Sequence, residues 1–375
     1  MEFGPEALID HTALRRNLGI ARRASAGASV WAVVKADAYG HGMTAAAAAL
    51  GEADGLAVAR VEEAVRLREA GIGLPLLVLE GAFTGEELQL AGRQNLQLVV
   101  HHEFQIKLLE RTQASSPLGI WIKIDTGMHR LGFSPERGRE VLGRLVTAVA
   151  LVGRPGWLTH LACADEPGHP HTQVQWQRFQ ALLRPGETAS LANSAAILSG
   201  MAGPREWIRP GIMLYGASPF PGETGAQRGL EPVMTLQARL IAVNRIAAGE
   251  RVGYGGLYRC PRDMPVGVIG IGYGDGYPRQ VTSGTPVLVN GQRVPLIGRV
   301  SMDMISVDLS PCPEARVGDP AVLWGRGLPV EEIAERAGTI SYQLLCGVTA
   351  RVPRRYLASQ DENQGAVVRH RRELG

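Results

Sequence analysis

The chain has 375 residues, 45% of them hydrophobic and 20% charged, with 39 Lys+Arg against 36 Asp+Glu for a formal net charge of +3. A length beyond the ~250–300 residues at which one hydrophobic core stops growing favours two domains, and this composition excludes collagenous, disordered and disulfide-dense chains. The small, scattered positive charge argues against nucleic acid or an anionic membrane as partner, and no run approaches the ~18 apolar residues of a membrane span.

The opening segment, MEFGPEALIDHTALRRNL, has no basic region followed by an apolar stretch, so no export signal is expected and the location expected is cytoplasmic. From about residue 29 to 215 one unit recurs: a short apolar run, a polar turn, then a segment of helical period. The runs are SVWAVVK, GLAVAR, PLLVLEG, LQLVVH, GIWIKID, GWLTHL, TASLAN and EWIRPGIMLYG, with helical stretches such as VEEAVRLREAG and PERGREVLGRLVTA between them. Continuous rather than alternating apolar strands predict a parallel (β/α)8 barrel of the TIM type, assigned here to residues 1–230. After about residue 230 the pattern changes to alternating runs broken by turn signals, among them Asn290-Gly291, which predicts a tight hairpin. This predicts a mostly antiparallel β domain over 231–358, interrupted by one helix in PVEEIAERAG that Gly338 closes. Residues 359–375 read as a polar, frayed tail. Cys163, Cys260, Cys312 and Cys346 are too far apart for a metal or redox motif and read as reduced thiols, so no metal is expected.

Only three of the 39 basic residues are lysines, Lys35, Lys107 and Lys123. Arginine fills the surface role that usually explains a lysine, so the surviving lysines point to a need for a primary amine, which can form a Schiff base where a guanidinium cannot. Lys35 ends the first apolar run, in VVKADAYGHG, and the C-terminal ends of barrel strands are where catalytic residues sit. Alone, that position suits either a carbonyl cofactor or a lysine capping a strand into solvent.

The motifs AVVKADAYGHG, KIDTGMHRLGF, THLACADE, LANSAA, RPGIMLYG, RVGYGGLY, IGYGDGYPR, GRVSMDM and TISYQLL together resemble, in order and over nearly the whole chain, those of the alanine racemase family of fold-type III pyridoxal-phosphate enzymes. The resemblance implies a barrel with a β domain and pyridoxal 5'-phosphate carried on Lys35. It implies a phosphate site formed by Tyr39, Ser194, Tyr342 and the backbone of Gly211 and Ile212, after strands seven and eight. Arg209 is implied to face the pyridine nitrogen; a guanidinium keeps its proton, which leaves that nitrogen unprotonated and the electron sink weaker. His160 is implied to lie beside the cofactor and to link Arg209 to Tyr254. Without the resemblance, Tyr39 reads as a half-buried ring, His160 as a packed core histidine and Arg209 as a surface residue.

In WIKIDTGMHR the period of two puts Trp121, Lys123 and Asp125 on one strand face. An ammonium pointing into a barrel needs a partner; Asp125 is one candidate. The resemblance offers another, carbamylation of Lys123 to an anion that positions Arg130, itself implied to hold the cofactor's phenolic oxygen and the substrate carboxylate. It further implies that the Met302 backbone receives that carboxylate, in a turn oriented by Asp303, and that Lys35 and Tyr254 are the two bases. The expected partners are a small amino acid and a second copy of the chain in a homodimer with shared sites; D-alanine biosynthesis for peptidoglycan and D-alanine degradation are both open roles. Departures from the family pattern are Asp37 in place of the usual Asn, His129 at a variable position, and Gly347 where Asn is frequent. Serine racemisation, a barrel-type pyridoxal-phosphate decarboxylase and a non-catalytic pyridoxal-phosphate-binding protein are the alternatives. The decarboxylase would typically place an acid where Arg209 stands, and the barrel-only binding protein would lack Tyr254 and Met302.

Overall fold

The computed structural model describes residues 4–25, 27–112, 116–203 and 206–357; the tail expected at 359–375 lies outside them. Two compact units emerge, one made of Asn17–Leu214 with Pro219–Pro221, the other of the described parts of Met1–Arg16, Tyr215–Ser218 and Gly222–Gly375. The described residues up to Arg16, assigned to the barrel from sequence, thus group with the β unit. The reason is strand pairing: β1 (Glu6–Asp10) has no parallel barrel neighbour and is registered antiparallel against residues 234–237 and parallel against residues 354–357.

In the barrel unit the strands are β2 (Ser29–Val33), β3 (Gly55–Val58), β4 (Leu76–Val78), β5 (Leu96–Val100), β6 (Gly119–Lys123), β7 (Gly156–Leu158), β8 (Ala189–Ser190) and β9 (Trp207–Ile208). They fall in the eight apolar runs picked out in the sequence. All pair in parallel in the order β8-β7-β6-β5-β4-β3-β2-β9, and single bridges Ala189↔Glu206 and Asn193↔Arg209 bring the two edges together. Helices follow the strands, as at Val61–Glu69, Gly85–Arg93, Glu103–Arg111, Gly138–Ala148 and Pro170–Leu182. Local chemistry starts them: the Thr84 hydroxyl accepts from Glu87 N at 3.1 Å while the Glu87 carboxylate accepts from Thr84 N at 3.3 Å, a reciprocal cap.

Three tryptophans from strands that are not all neighbours meet across the barrel interior. Trp31 stacks on Trp207 at 4.3 Å, and Trp121 meets both edge-on at 6.1 and 6.2 Å. Glycine makes room for them. Gly55 is registered beside Trp31 and Gly156 beside Trp121, and a Cβ on either would lie 2.2 Å or 2.5 Å from the indole.

The β unit is organised on β10 (Met234–Ile246), a 13-residue strand with a bulge between Leu240 and Ala242. A short flap, β11 (Arg251–Val252) and β12 (Tyr258–Arg259), precedes β13 (Met264–Ile269), β14 (Pro286–Val289), β15 (Gln292–Ile297), β16 (Ile305–Asp308), β17 (Pro320–Trp324) and β18 (Arg354–Leu357). The sheet runs β13-β16-β15-β14-β17-β10-β1-β18, and β10 also pairs β13. Asn290 and Gly291, with φ of 51° and 79°, form the predicted hairpin between β14 and β15. The predicted helix is Val330–Arg336, closed by Gly338 at φ 64° with Thr339 N donating to Ala334 O. A second helix, Ser341–Gly347, was not anticipated; its buried Leu344 and Leu345 give too short an apolar pattern to separate helix from strand. Among the described residues no helix is long and apolar enough to cross a membrane, and no group of three or more His, Cys, Asp or Glu could hold a metal ion. The four cysteines are free.

Candidate active site

The expected residues of the barrel unit gather at the C-terminal ends of its strands. Lys35 stands two residues past β2, Lys123 ends β6, His160 stands two residues past β7, Ser194 opens the helix after β8, and Arg209 follows β9. Parallel strands put all their C-terminal ends on one face, which is why residues so far apart in sequence converge.

Lys35 is followed by a backbone that the sequence did not foretell. Ala36, Asp37, Ala38 and Tyr39 all sit near φ 53° to 54° with ψ between 39° and 52°, a turn of left-handed helix without a glycine. Each such residue costs roughly 1–2 kcal/mol, so the neighbourhood must hold the turn in place. His41 Nδ1 donates to the carbonyls of Ala38 and Tyr39 at 3.0 and 2.9 Å, and Asp37 Oδ1 accepts from Met43 N at 2.8 Å. The turn carries Tyr39 over Gly211, where a Cβ would lie 2.4 Å from the phenol oxygen. Beneath, the buried Ser194 hydroxyl accepts from Gly211 N at 2.9 Å and from Met213 N at 3.4 Å. Ile212, fully buried, begins the next 3-10 turn, Ile212–Tyr215. Tyr39, Ser194, Gly211 and Ile212 therefore form one small polar cup.

Arg209 is buried and, among the described residues, makes no close ion pair; Glu206 is the carboxylate that acts on it from a distance. Its guanidinium donates to Thr159 O at 2.6 Å, Leu191 O at 3.2 Å, the Ser190 hydroxyl, and His160 Nδ1 at 3.2 Å. Because an arginine only donates, His160 Nδ1 is the acceptor and its proton lies on Nε2. Burial, reinforced by Arg209, Lys123, Arg130 and Lys35, keeps that imidazole neutral, well below its ordinary pKa. Burial also pulls Arg209 down to about 10, which leaves it protonated at neutral pH.

Lys123 is 8% exposed and stands among cations: burial, then Arg209, Arg130 and Lys35, pull its pKa to about 8 against the opposing charge of Asp125. Asp125 is engaged elsewhere. It accepts from Gly127 N at 2.9 Å and His129 N at 3.0 Å and pairs with His129 Nδ1 at 3.3 Å, so the reading of Asp125 as the direct partner of Lys123 does not hold. Although burial pushes Asp125 upward, those backbone donors keep its carboxyl below the usual range. Lys35 is shifted down as well, by burial first and Arg130 next, with Glu80 and Glu63 opposing. Arg130 itself is exposed on the loop after β6.

Tyr254, Met302 and Tyr342 lie in the β unit. Tyr254 is 72% exposed in the flap, between Gly253 and Gly255 at φ 71° and 73°. Met302 is 53% exposed on a turn pinned by Ser301 N to Met304 O at 3.0 Å and by its own carbonyl, which accepts from Gly274 N at 2.8 Å. Asp303, beside Met302, pairs with Arg351, whose guanidinium reaches Asp303 at 2.7 Å and Asp275 at 3.4 Å. Tyr342 is half-buried on helix Ser341–Gly347. Sequence reasoning missed Thr159, Ser190 and Arg351, ordinary polar residues that bond Arg209 or the turn at Met302–Asp303 and carry no pattern of their own.

The chain matches the family models for the alanine racemase N-terminal domain over residues 9–219 and the alanine racemase C-terminal domain over residues 233–356. It is 53% identical to an alanine racemase of Nitrosococcus oceani over 350 residues, covering 93% of this chain and 98% of that one, and 50% identical to one of Thioalkalivibrio sulfidiphilus, covering 95% and 100%. Among solved structures, the biosynthetic alanine racemase of Pseudomonas aeruginosa superposes with a TM-score of 0.91 at 46% identity, covering 95% of this chain and 100% of that one. That of Acinetobacter baumannii gives 0.89 at 37% identity, with the same coverage. With both domain models matched in order and the fold shared with solved members, the chain belongs to the alanine racemase family.

Proposed function

We propose that the protein interconverts L- and D-alanine with pyridoxal 5'-phosphate bound on Lys35, using Lys35 and Tyr254 as the two bases. The observation that carries the reading is the convergence of Lys35 with a buried arginine, Arg209, at one barrel mouth beside a polar cup. The residues fit the cofactor. The depressed Lys35 amine suits attack on an aldehyde; Tyr39, Ser194 and the backbone of Gly211 and Ile212 suit a phosphate, with Tyr342 adding a hydroxyl; Arg209 suits a ring nitrogen that must stay unprotonated. Bound pyridoxal phosphate supplies the electron sink for the pair left at Cα.

The protein's part is placement and proton traffic. Lys35 Nζ takes or returns the Cα proton on one face, serving the D-enantiomer, and the Tyr254 hydroxyl does so on the other, serving the L-enantiomer. Met302 N–H and Arg130 receive the substrate carboxylate, and Arg130 also holds the cofactor's phenolic oxygen. His160 keeps Arg209 in place. Lys123 is carbamylated: its neutral amine, available because its pKa is about 8, bonds to CO2 with loss of a proton, and the resulting anion positions Arg130. The exposed apolar groups Tyr254, Leu257, Met302 and Met304 of the β unit support a homodimer in which each chain's β unit completes the other's site. By likeness to the biosynthetic Pseudomonas aeruginosa enzyme, the product supplied is D-alanine for peptidoglycan.

Incubation with L-alanine and chiral analysis should give D-alanine, and borohydride should fix the cofactor to the peptide bearing Lys35. Carbon dioxide release would indicate a decarboxylase, preferential turnover of serine would displace alanine as the substrate, and attachment at Lys107 or Lys123 would overturn the site. In heavy water, D-alanine product should carry deuterium at Cα while early recovered L-alanine stays mostly protiated; rapid deuteration of unreacted substrate would count against two separate bases.

A further inference from the structure

We propose that Glu63 is a positioning residue for Lys35 and Tyr39, its carboxylate holding the left-handed turn between them by bridging the head of its own helix to the amide of Ala36. The inference rests on the reading of Lys35 as the cofactor lysine. Glu63 is the third residue of helix Val61–Glu69, an ordinary capping position, and Oε2 does the ordinary work, accepting from Ala59 N at 2.7 Å and Arg60 N at 3.2 Å. Oε1 leaves the helix and accepts from Ala36 N at 2.9 Å. One carboxylate thus joins the loops that follow two adjacent strands, β2 and β3.

Ala36 is the first of the four left-handed residues, and its amide is the turn's side-chain tie to a neighbouring helix, beside the backbone bond from Ala38 N to Val34 O at 2.9 Å. His41 and Asp37 hold the far end of the turn; Glu63 holds the end beside Lys35. Release of that anchor lets the strained residues relax toward right-handed or extended backbone, which turns Lys35 and lifts Tyr39 from Gly211. Glutamine is not an equivalent. It presents one acceptor oxygen and one N–H2 to sites that all donate, so it can cap its own helix or receive Ala36, not both.

The test uses the full-length protein with Glu63→Gln, alone and with Ala36→Gly, which relieves the left-handed cost at that residue. Hydrogen exchange resolved to the segment around Ala36 and spectroscopic titration with pyridoxal phosphate are the two readouts. Glu63→Gln should speed exchange in that segment alone and weaken pyridoxal-phosphate affinity, each by about tenfold or more. Adding Ala36→Gly should restore much of the affinity. Should Glu63→Gln not accumulate as folded protein, Glu63→Asp, whose shorter arm caps its helix without reaching Ala36, carries the same readouts. Exchange or affinity within about twofold of wild type, or faster exchange throughout the barrel, overturns the proposal. If pyridoxal phosphate does not attach to Lys35 in the wild-type protein, the functional reading fails, and the segment's exchange alone decides whether Glu63 anchors the turn.

Discussion

Lys123 offers a sharp test of the electrostatics, because removing its charge should stabilise the protein. Its pKa of about 8, against an ordinary 10.5, means that folding carries an ammonium into a site where burial, Arg209, Arg130 and Lys35 all oppose it. The cost is present in full below the folded pKa and disappears as pH rises toward the unfolded value, since above it neither state is charged. Linkage gives about 3 kcal/mol at pH 7 and under about 1 kcal/mol at pH 10, as order-of-magnitude figures. Lys123→Met, which keeps the side chain's length without its charge, should therefore raise the unfolding free energy of the cofactor-free protein by about that much at pH 7. Urea unfolding in CO2-free buffer at pH 7 and pH 10 measures it. Bicarbonate should narrow the gap at neutral pH, because carbamylation replaces the opposed cation by an anion among arginines. A variant less stable than wild type at pH 7, or a difference independent of pH, would refute the reasoning.

Gly55→Ala should lower stability by about 1–3 kcal/mol in denaturant unfolding, because its Cβ would meet a Trp31 ring already fixed by Trp207 and Trp121. Ser194→Ala leaves Gly211 N and Met213 N without their buried acceptor and should weaken pyridoxal-phosphate binding about tenfold; unchanged affinity in a spectral titration would remove Ser194 from the phosphate site. Lys35→Ala and Tyr254→Phe chains, each nearly inactive, should regain activity when refolded together with cofactor, since half the dimers are mixed and about a quarter of all sites lack neither group. No recovery beside a refolded wild-type control would exclude a site shared between chains.

The alternation of apolar runs and helical segments already determined the barrel, because strands covered on both faces must be apolar throughout and each parallel crossover needs a helix. Asn290-Gly291 and Gly338 were legible for an equally local reason: positive φ is a demand on single residues that the sequence states openly. The scarcity of lysine singled out Lys35 and Lys123, while the motif order pointed to the family. Tertiary structure alone decided the rest. β1 joined the β unit because its partners, β10 and β18, lie more than 200 residues away in the chain. Asp125 turned from Lys123 to the amides of its own loop, and Glu63, a capping residue by pattern, extended its second oxygen to Ala36. The left-handed turn at Ala36–Tyr39 had no local signal beyond Asp37, a residue type that tolerates left-handed backbone singly. Four residues with Cβ atoms disfavour it one by one, and only contacts from distant elements can offset that cost.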